Sequence, residues 1–286
     1  MFDWGTKTYV MGILNVTPDS FSGDGIWQRD DQIAAAVAQA QQFAADGADI
    51  IDIGGESTRP GSTPVSEAEE LARVIPVIEA VRNAISLPIS VDTYRANVAE
   101  AALAAGANWI NDVWGLRMDA RLAQVAAQAN CPVVLMHNRS KPKDVAQEER
   151  LGGRYVGVAY DDLIEDIKKE LGESVEIAIK AGVSESNIIL DPGVGFGKTV
   201  AQNLQLVNQL DQFKTMGFPI LLGSSRKSFI GYTLDLPPEE RLEGTAATVA
   251  IGIARGADIV RVHDVKPIVR LAKMTDAIIR SKEIGD

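Results

Sequence analysis

Short β-branched runs recur along the chain, each followed by a loop and then by an alanine-rich stretch with helical spacing. The runs are Val10–Asn15, Ile50–Ile53, Pro88–Asp92, Trp109–Asp112, Pro132–Met136, Ile188–Asp191, Ile220–Gly223 and Ile259–Val262. Alternation of this kind predicts a parallel sheet with crossover helices. Gly47, Gly106, Gly182 and Gly256 each stand just before a run, where a helix should end, so the pattern predicts left-handed helix stops there. Roughly eight strand–helix units in 286 residues fit an α/β fold of the (β/α)8 TIM-barrel type, one domain over 1–286, better than a doubly wound sheet.

The helical stretches carry apolar stripes. Leu71, Val74, Ile75 and Ile78 follow the i, i+3, i+4, i+7 rule, and Ile268, Leu271, Ala272 and Thr275 follow it approximately. Pro76 lies inside the first stripe, where a kink or a later helix start is expected. The charged connection from Met136 to Tyr160 is long for its place, which predicts a functional or mobile segment.

Composition narrows the class without changing this architecture. With 46% hydrophobic and 23% charged residues, the chain has an ordinary globular balance. Its 28 basic and 39 acidic residues give a net charge of −11, which disfavours nucleic acid and anionic membranes as partners. Any phosphate must then be held by a local basic site. One cysteine, Cys131, excludes an internal disulfide and a multi-cysteine metal site. No apolar run reaches the roughly 18 residues of a membrane span, so a cytoplasmic protein is expected.

The chemistry must come from the C-terminal ends of the strands, where barrels of this type build their sites. Those ends offer Asn15, Asp52 with Glu56, Asp92, Asn111 with Asp112, His137, Asp191, Arg226 with Lys227, and Arg261 with His263. Ile188 to Thr199 ends in Gly-Lys-Thr and resembles a phosphate-cradling loop at first sight. Pro192 occupies the position where such a loop needs glycine, and the even spacing of Gly193, Gly195 and Gly197 does not fit a dinucleotide fingerprint. Arg261 and His263 are two apart on one strand, so they project to one side and suit a phosphate or diphosphate; the alternative is a structural pair of Arg261 with Asp258 or Asp264. Asp92, Asn111, Asp191 and Lys227 supply acceptors and donors for a flat guanine-like or pterin-like ring, the alternative being an ion pair of Lys227 with an aspartate. Two loops rich in turn formers, 15–25 and 54–61, are expected to close over the site. There is no nucleophile elbow, and two histidines leave little room for a triad or a histidine zinc site.

Met11-Gly-Ile-Leu-Asn-Val-Thr-Pro-Asp-Ser-Phe-Ser22, Gly54-Gly-Glu-Ser-Thr-Arg-Pro-Gly61, Ser90-Val-Asp-Thr93, Asp191-Pro-Gly, Gly195-Phe-Gly-Lys198, Ser225-Arg-Lys-Ser228 and Arg261-Val-His-Asp-Val265 together resemble the dihydropteroate synthase family. The resemblance runs in order along nearly the whole chain. It implies a TIM-barrel transferase of folate synthesis, usually a homodimer, that joins 6-hydroxymethyl-dihydropterin diphosphate to 4-aminobenzoate with Mg2+ required. Carried over by motif, Asp92, Asn111, Asp191 and Lys227 would hold the pterin, with Lys227, Asp92 and Arg261 the groups most directly involved in catalysis. Thr58, Arg261 and His263 would hold the diphosphate, Asn15 the Mg2+, and Arg59, Pro60, Phe196 and Ser228 the aminobenzoate. Pterin-dependent methyltransferases, which share the pterin grip, would not need Arg261 with His263 or the Thr58-Arg59-Pro60 loop, and a non-catalytic pterin-binding paralogue would not need both the diphosphate and aminobenzoate groups.

Overall fold

The computed structural model describes residues 2–16, 29–57, 65–156 and 158–280. Eight parallel strands make the sheet: β1 (Tyr9–Asn15), β2 (Ile50–Gly54), β3 (Ile89–Asp92), β4 (Trp109–Asp112), β5 (Val133–Met136), β6 (Ile188–Asp191), β7 (Leu221–Leu222) and β8 (Ile259–Val262). They pair in the order β6-β5-β4-β3-β2-β1-β8-β7, and a parallel bridge between Leu190 and Ile220 joins the two ends into a barrel. β7 is shorter than the run 220–223 predicted, because Ile220 makes only that single bridge. Outside lie α1 (Arg29–Asp46), α2 (Glu67–Ala84), α3 (Ala96–Ala104), α4 (Leu122–Ala129), α5 (Leu163–Ala181), α6 (Val200–Asn208), α7 (Ser228–Leu234), α8 (Leu242–Ala254) and α9 (Val265–Arg280).

The predicted helix stops hold: Gly47, Gly106, Gly182 and Gly256 all have φ between 92° and 112°. The expectation of a later start at Pro76 does not. Helix α2 begins at Glu67, capped by the Ser66 hydroxyl accepting from Glu69 N–H, and runs on through Pro76. Its buried face is Val74, Val77, Ile78 and Val81, so Leu71 and Ile75 lie at the margin of the stripe. The connection after β5 is packed: residues 145–146 pair with 154–155, Leu151 is buried, and Tyr232 Oη of α7 donates to the Gly152 carbonyl at 3.0 Å. Among the described residues, no helix is long and apolar enough to cross a membrane.

Two cores fill the molecule. The larger lies between strands and helices, and the smaller, inside the barrel, takes Tyr9, Met11, Ile50, Trp109, Val134, Ile189, Leu221 and Ile259 with Phe2 and Trp4 against it. Successive side chains of a strand face opposite ways, so the next inward position is two residues on. Moving on from the barrel core by that step turns Ile50 into Asp52, Trp109 into Asn111, Ile189 into Asp191 and Ile259 into Arg261. A dry plug thereby gives way to a polar layer within one side-chain spacing.

Candidate active site

Arg261 is the centre of that layer. Its Nε–H donates to Asp52 Oδ2 at 2.6 Å and its Nη2–H to Asp92 Oδ2 at 2.7 Å. The expected alternative of pairing with Asp258 or Asp264 is excluded, since Lys214 holds Asp258 and Arg226 holds Asp264. Asp52 Oδ2 also accepts from Asn111 Nδ2 at 3.0 Å, while its Oδ1 is buried without a partner. Registry brings these strand ends together, for Asp92 lies opposite Asn111 and Met136 opposite Asp191. Burial raises the Asp92 carboxyl to about 7; Arg261 opposes this, and the charges of Asp52, Glu70 and Asp112 add to it.

Asp191 and Lys227 form the opposite wall. Asp191 is buried, its Oδ1 accepts the Gly193 N–H at 2.7 Å, and burial raises its pKa against the pull of Lys227. Lys227 donates to the Val194 carbonyl and lies 4.5 Å above the centre of the Phe196 ring. Burial lowers the lysine to about 8, opposed by Asp191 and then reinforced by Arg261. A side chain at Gly223 would come within 3.8 Å of both Asp191 Oδ2 and Lys227 Nζ, so the missing Cβ leaves that face of the pair open. Phe196 joins Val113 and Met136 in a small apolar cluster with Tyr94 and Trp114 against it, a ring-sized wall beside the two charges.

The remaining predicted residues are distributed around this centre. His263 continues β8 beyond Arg261, and its backbone N–H and Nδ1 lie 3.1 and 3.0 Å from Ser225 Oγ. Ser228 opens α7 directly after Lys227. Asn15 ends β1 opposite Gly54 and is half-buried. Thr58, Arg59, Pro60 and Gly61 of the second predicted loop, and residues 17–25 of the first, lie outside the described residues. Among the described residues no group of three histidine, cysteine or carboxylate side chains could hold a metal ion.

Several strand-end residues turn out to serve structure. Asp112 points away from Asn111 and accepts from the N–H groups of Trp114 and Leu116 at 2.8 and 2.6 Å, which fixes the loop after β4. His137 and Lys198 are buried behind the glycine loop, where Lys198 Nζ lies 3.0 Å from His137 Nδ1. Burial first, then Lys198, pushes the imidazole down to about 3, so it is neutral. Cys131 is a buried core residue whose thiol burial pushes up to about 11. Sequence reasoning singled out Asp52 only as one strand end among many, and the partial signal was its place two residues beyond inward-facing Ile50. Ser225 carried no such signal.

Comparisons with known proteins point to one family. The family described as pterin binding enzyme matches residues 11–263. A dihydropteroate synthase of Bacillus subtilis is 55% identical over 273 residues, covering 96% of this chain and 89% of that one. The crystal structure of the Clostridium difficile dihydropteroate synthase in the presence of pteroic acid superposes with a TM-score of 0.89 at 48% identity, covering 98% of this chain and all of that one. The Xanthomonas albilineans dihydropteroate synthase with 4-aminobenzoic acid gives a TM-score of 0.85 at 42% identity, covering 95% and 93% of the two chains.

Proposed function

The chain belongs to the dihydropteroate synthases of the pterin-binding enzyme family, and from that premise we propose how its own residues divide the work. It is a transferase of folate biosynthesis that condenses (7,8-dihydropterin-6-yl)methyl diphosphate with 4-aminobenzoate to give 7,8-dihydropteroate and diphosphate. The observation that carries the assignment of roles is the convergence of Asp92, Asn111, Asp191, Lys227 and Arg261 from five strand ends on one polar layer.

The pterin edge is read by Asp92 and Asp191 as acceptors, Asn111 as donor and acceptor, and Lys227 as donor. A guanidinium has five N–H donors. Arg261 spends two of them on Asp52 and Asp92, so three remain for the diphosphate, with His263 beside it and Thr58 assigned to it by motif alone. The two carboxylates hold the guanidinium in place before substrate arrives, which is the preorganisation that electrostatic catalysis requires. In the reaction the bond from the methylene carbon to the diphosphate oxygen breaks, its electron pair leaving with diphosphate, the amine lone pair forms the new C–N bond, and the resulting anilinium nitrogen gives up one proton to water or to the departing diphosphate. An aromatic amine is neutral near pH 7, so no strong base is needed. Phe196 and Pro60 wall the aminobenzoate ring, and Arg59 and Ser228 take its carboxylate.

Mg2+ takes few protein ligands and completes its shell with water and substrate phosphate. The single hard oxygen of Asn15 at the end of β1 fits that habit, and no acidic cage is required. When bound, the ion would neutralise charge on the departing diphosphate. A homodimer is supported by the exposed Ile251 of α8 and Met274, Ile278 and Ile279 of α9, a neighbouring helix pair. The test is diphosphate release with the pterin substrate, with and without 4-aminobenzoate and Mg2+. Turnover is expected only when all three are present, and aminobenzoate-independent release at the same rate would overturn the assignment.

A further inference from the structure

Lys198 is among the largest side chains of the protein to be fully buried, and no part of the reaction as described uses it. Its ammonium has three donors, and three acceptors surround it: the Gly193 carbonyl at 2.8 Å, the Phe196 carbonyl at 3.0 Å and His137 Nδ1 at 3.0 Å, the last an acceptor in the tautomer whose Nε2–H faces Glu170 Oε2 at 3.1 Å. Burial pulls its pKa well down, with Asp191 as the main opposing influence. The arrangement inverts a phosphate loop, in which backbone N–H groups surround an anion. Here backbone carbonyls surround a cation that the chain itself supplies.

The loop so gripped is the one that touches the site from the other side. Asp191 accepts from Gly193 N–H, the Val194 carbonyl accepts from Lys227, and the Phe196 ring lies under the Lys227 ammonium. Space is tight throughout. A Cβ on Gly193, at φ +74°, would sit 1.8 Å from the His137 carbonyl oxygen, and one on Gly195 would sit 2.6 Å from Lys227 Cδ. Asn203 of α6 adds a further anchor by accepting from Gly195 N–H at 2.6 Å.

We infer that Lys198 is a positioning residue of the transfer reaction: by drawing two loop carbonyls and His137 onto one ammonium, it fixes the glycine loop in the shape that seats Lys227 and Phe196. This rests on the assignment of Lys227 and Phe196 to the substrate site. Lysine is suited to the task because a point charge with three donors holds three acceptors from different directions, which a methionine of similar length cannot do.

A double-mutant cycle tests the role. In Lys198→Met, kcat/KM is expected to fall at least about 30-fold, with KM for 4-aminobenzoate rising because Phe196 is no longer held. The same change made on a background carrying both Lys227→Ala and Phe196→Ala should cost less than about 3-fold, because the groups it positions are already gone. Lys198→Gln keeps two N–H donors and should fall between wild type and methionine; it carries the test if the methionine variant does not fold. A purely structural role would lower the melting temperature and reduce kcat/KM by the same factor in both backgrounds, and that result overturns the inference, as does a Lys198→Gln enzyme with wild-type kcat/KM in both substrates. Wild-type protein that makes no dihydropteroate would sink the reaction and this role together. Active wild type with equal losses in the two backgrounds sinks the role alone.

Discussion

At the N-terminal end of the barrel Phe2, Trp4, Tyr9 and Trp109 meet with ring centres 4.7 to 5.5 Å apart, mostly edge to face. Two residues further along the same strands, Trp109 has become Asn111 and Ile259 has become Arg261. The two layers share backbone direction, registry and burial, and differ only in the side chains set into them. At the first end burial stabilises, since an aromatic ring removed from water contributes a few kcal/mol. At the second end burial costs, raising Asp92 and Asp191 and lowering Lys227, and an ionic or hydrogen-bonded neighbour opposes each shift. The contrast shows where the protein invests stability and where it holds charge ready for substrate.

Breaking the dry end should give the largest effect on the fold. Trp109→Ala removes a side chain that is 3% exposed from the barrel plug, and a loss of about 3–5 kcal/mol in unfolding free energy is expected. Chemical denaturation measures it, and a change under about 1 kcal/mol would mean that the plug collapses around the gap. Breaking the polar end should spare the fold and reduce turnover. On the proposed roles, Lys227→Ala removes a charge-assisted bond to a buried ring, worth roughly 1.5–3 kcal/mol, so kcat/KM should drop about 10- to 100-fold. The melting temperature should change little, because the relieved desolvation of the lysine and the lost pairing with Asp191 oppose each other. Unchanged kcat/KM in that variant would remove Lys227 from the site.

The dry end was far more legible in the chain than the wet one. Apolar runs and helix-stop glycines are local, so every barrel strand appears within a residue or two of its predicted limits. The polar candidates at strand ends were legible as a set, but their partners were not. Arg261 and Asp52 are 209 residues apart and meet only because β1 alone stands between β2 and β8. Adjacent residues also divide in ways that spacing does not show. Asn111 faces the barrel interior while Asp112 staples its own loop, and Arg226, at φ 55°, turns out to Asp264 while Lys227 turns in. The Gly-Lys-Thr ending did not read as a phosphate cradle, yet nothing in the sequence showed that its lysine would fold back under the loop to His137, 61 residues earlier.

The mildest probe of the contrast is pH, which titrates the wet end and leaves the dry one alone. Asp92 is raised to about 7 and Lys227 lowered to about 8, both chiefly by burial. Below about 7 Asp92 is protonated and loses its acceptor role towards a pterin N–H; above about 8 Lys227 is neutral and loses its donor strength. The site is therefore complete only between the two values, and kcat/KM should fall tenfold per pH unit on either side of that window. Asp92→Asn separates the enzyme from its substrate, whose diphosphate also titrates. If the acidic limb survives that change it belongs to the substrate, and if it vanishes with the residual rate flat below 7, it belongs to Asp92. A wild-type profile flat from 6 to 9 would show that the burial of these two charges is relieved in the working enzyme, and the distinction between a layer that gains from burial and one that is strained by it would fail at its catalytic half.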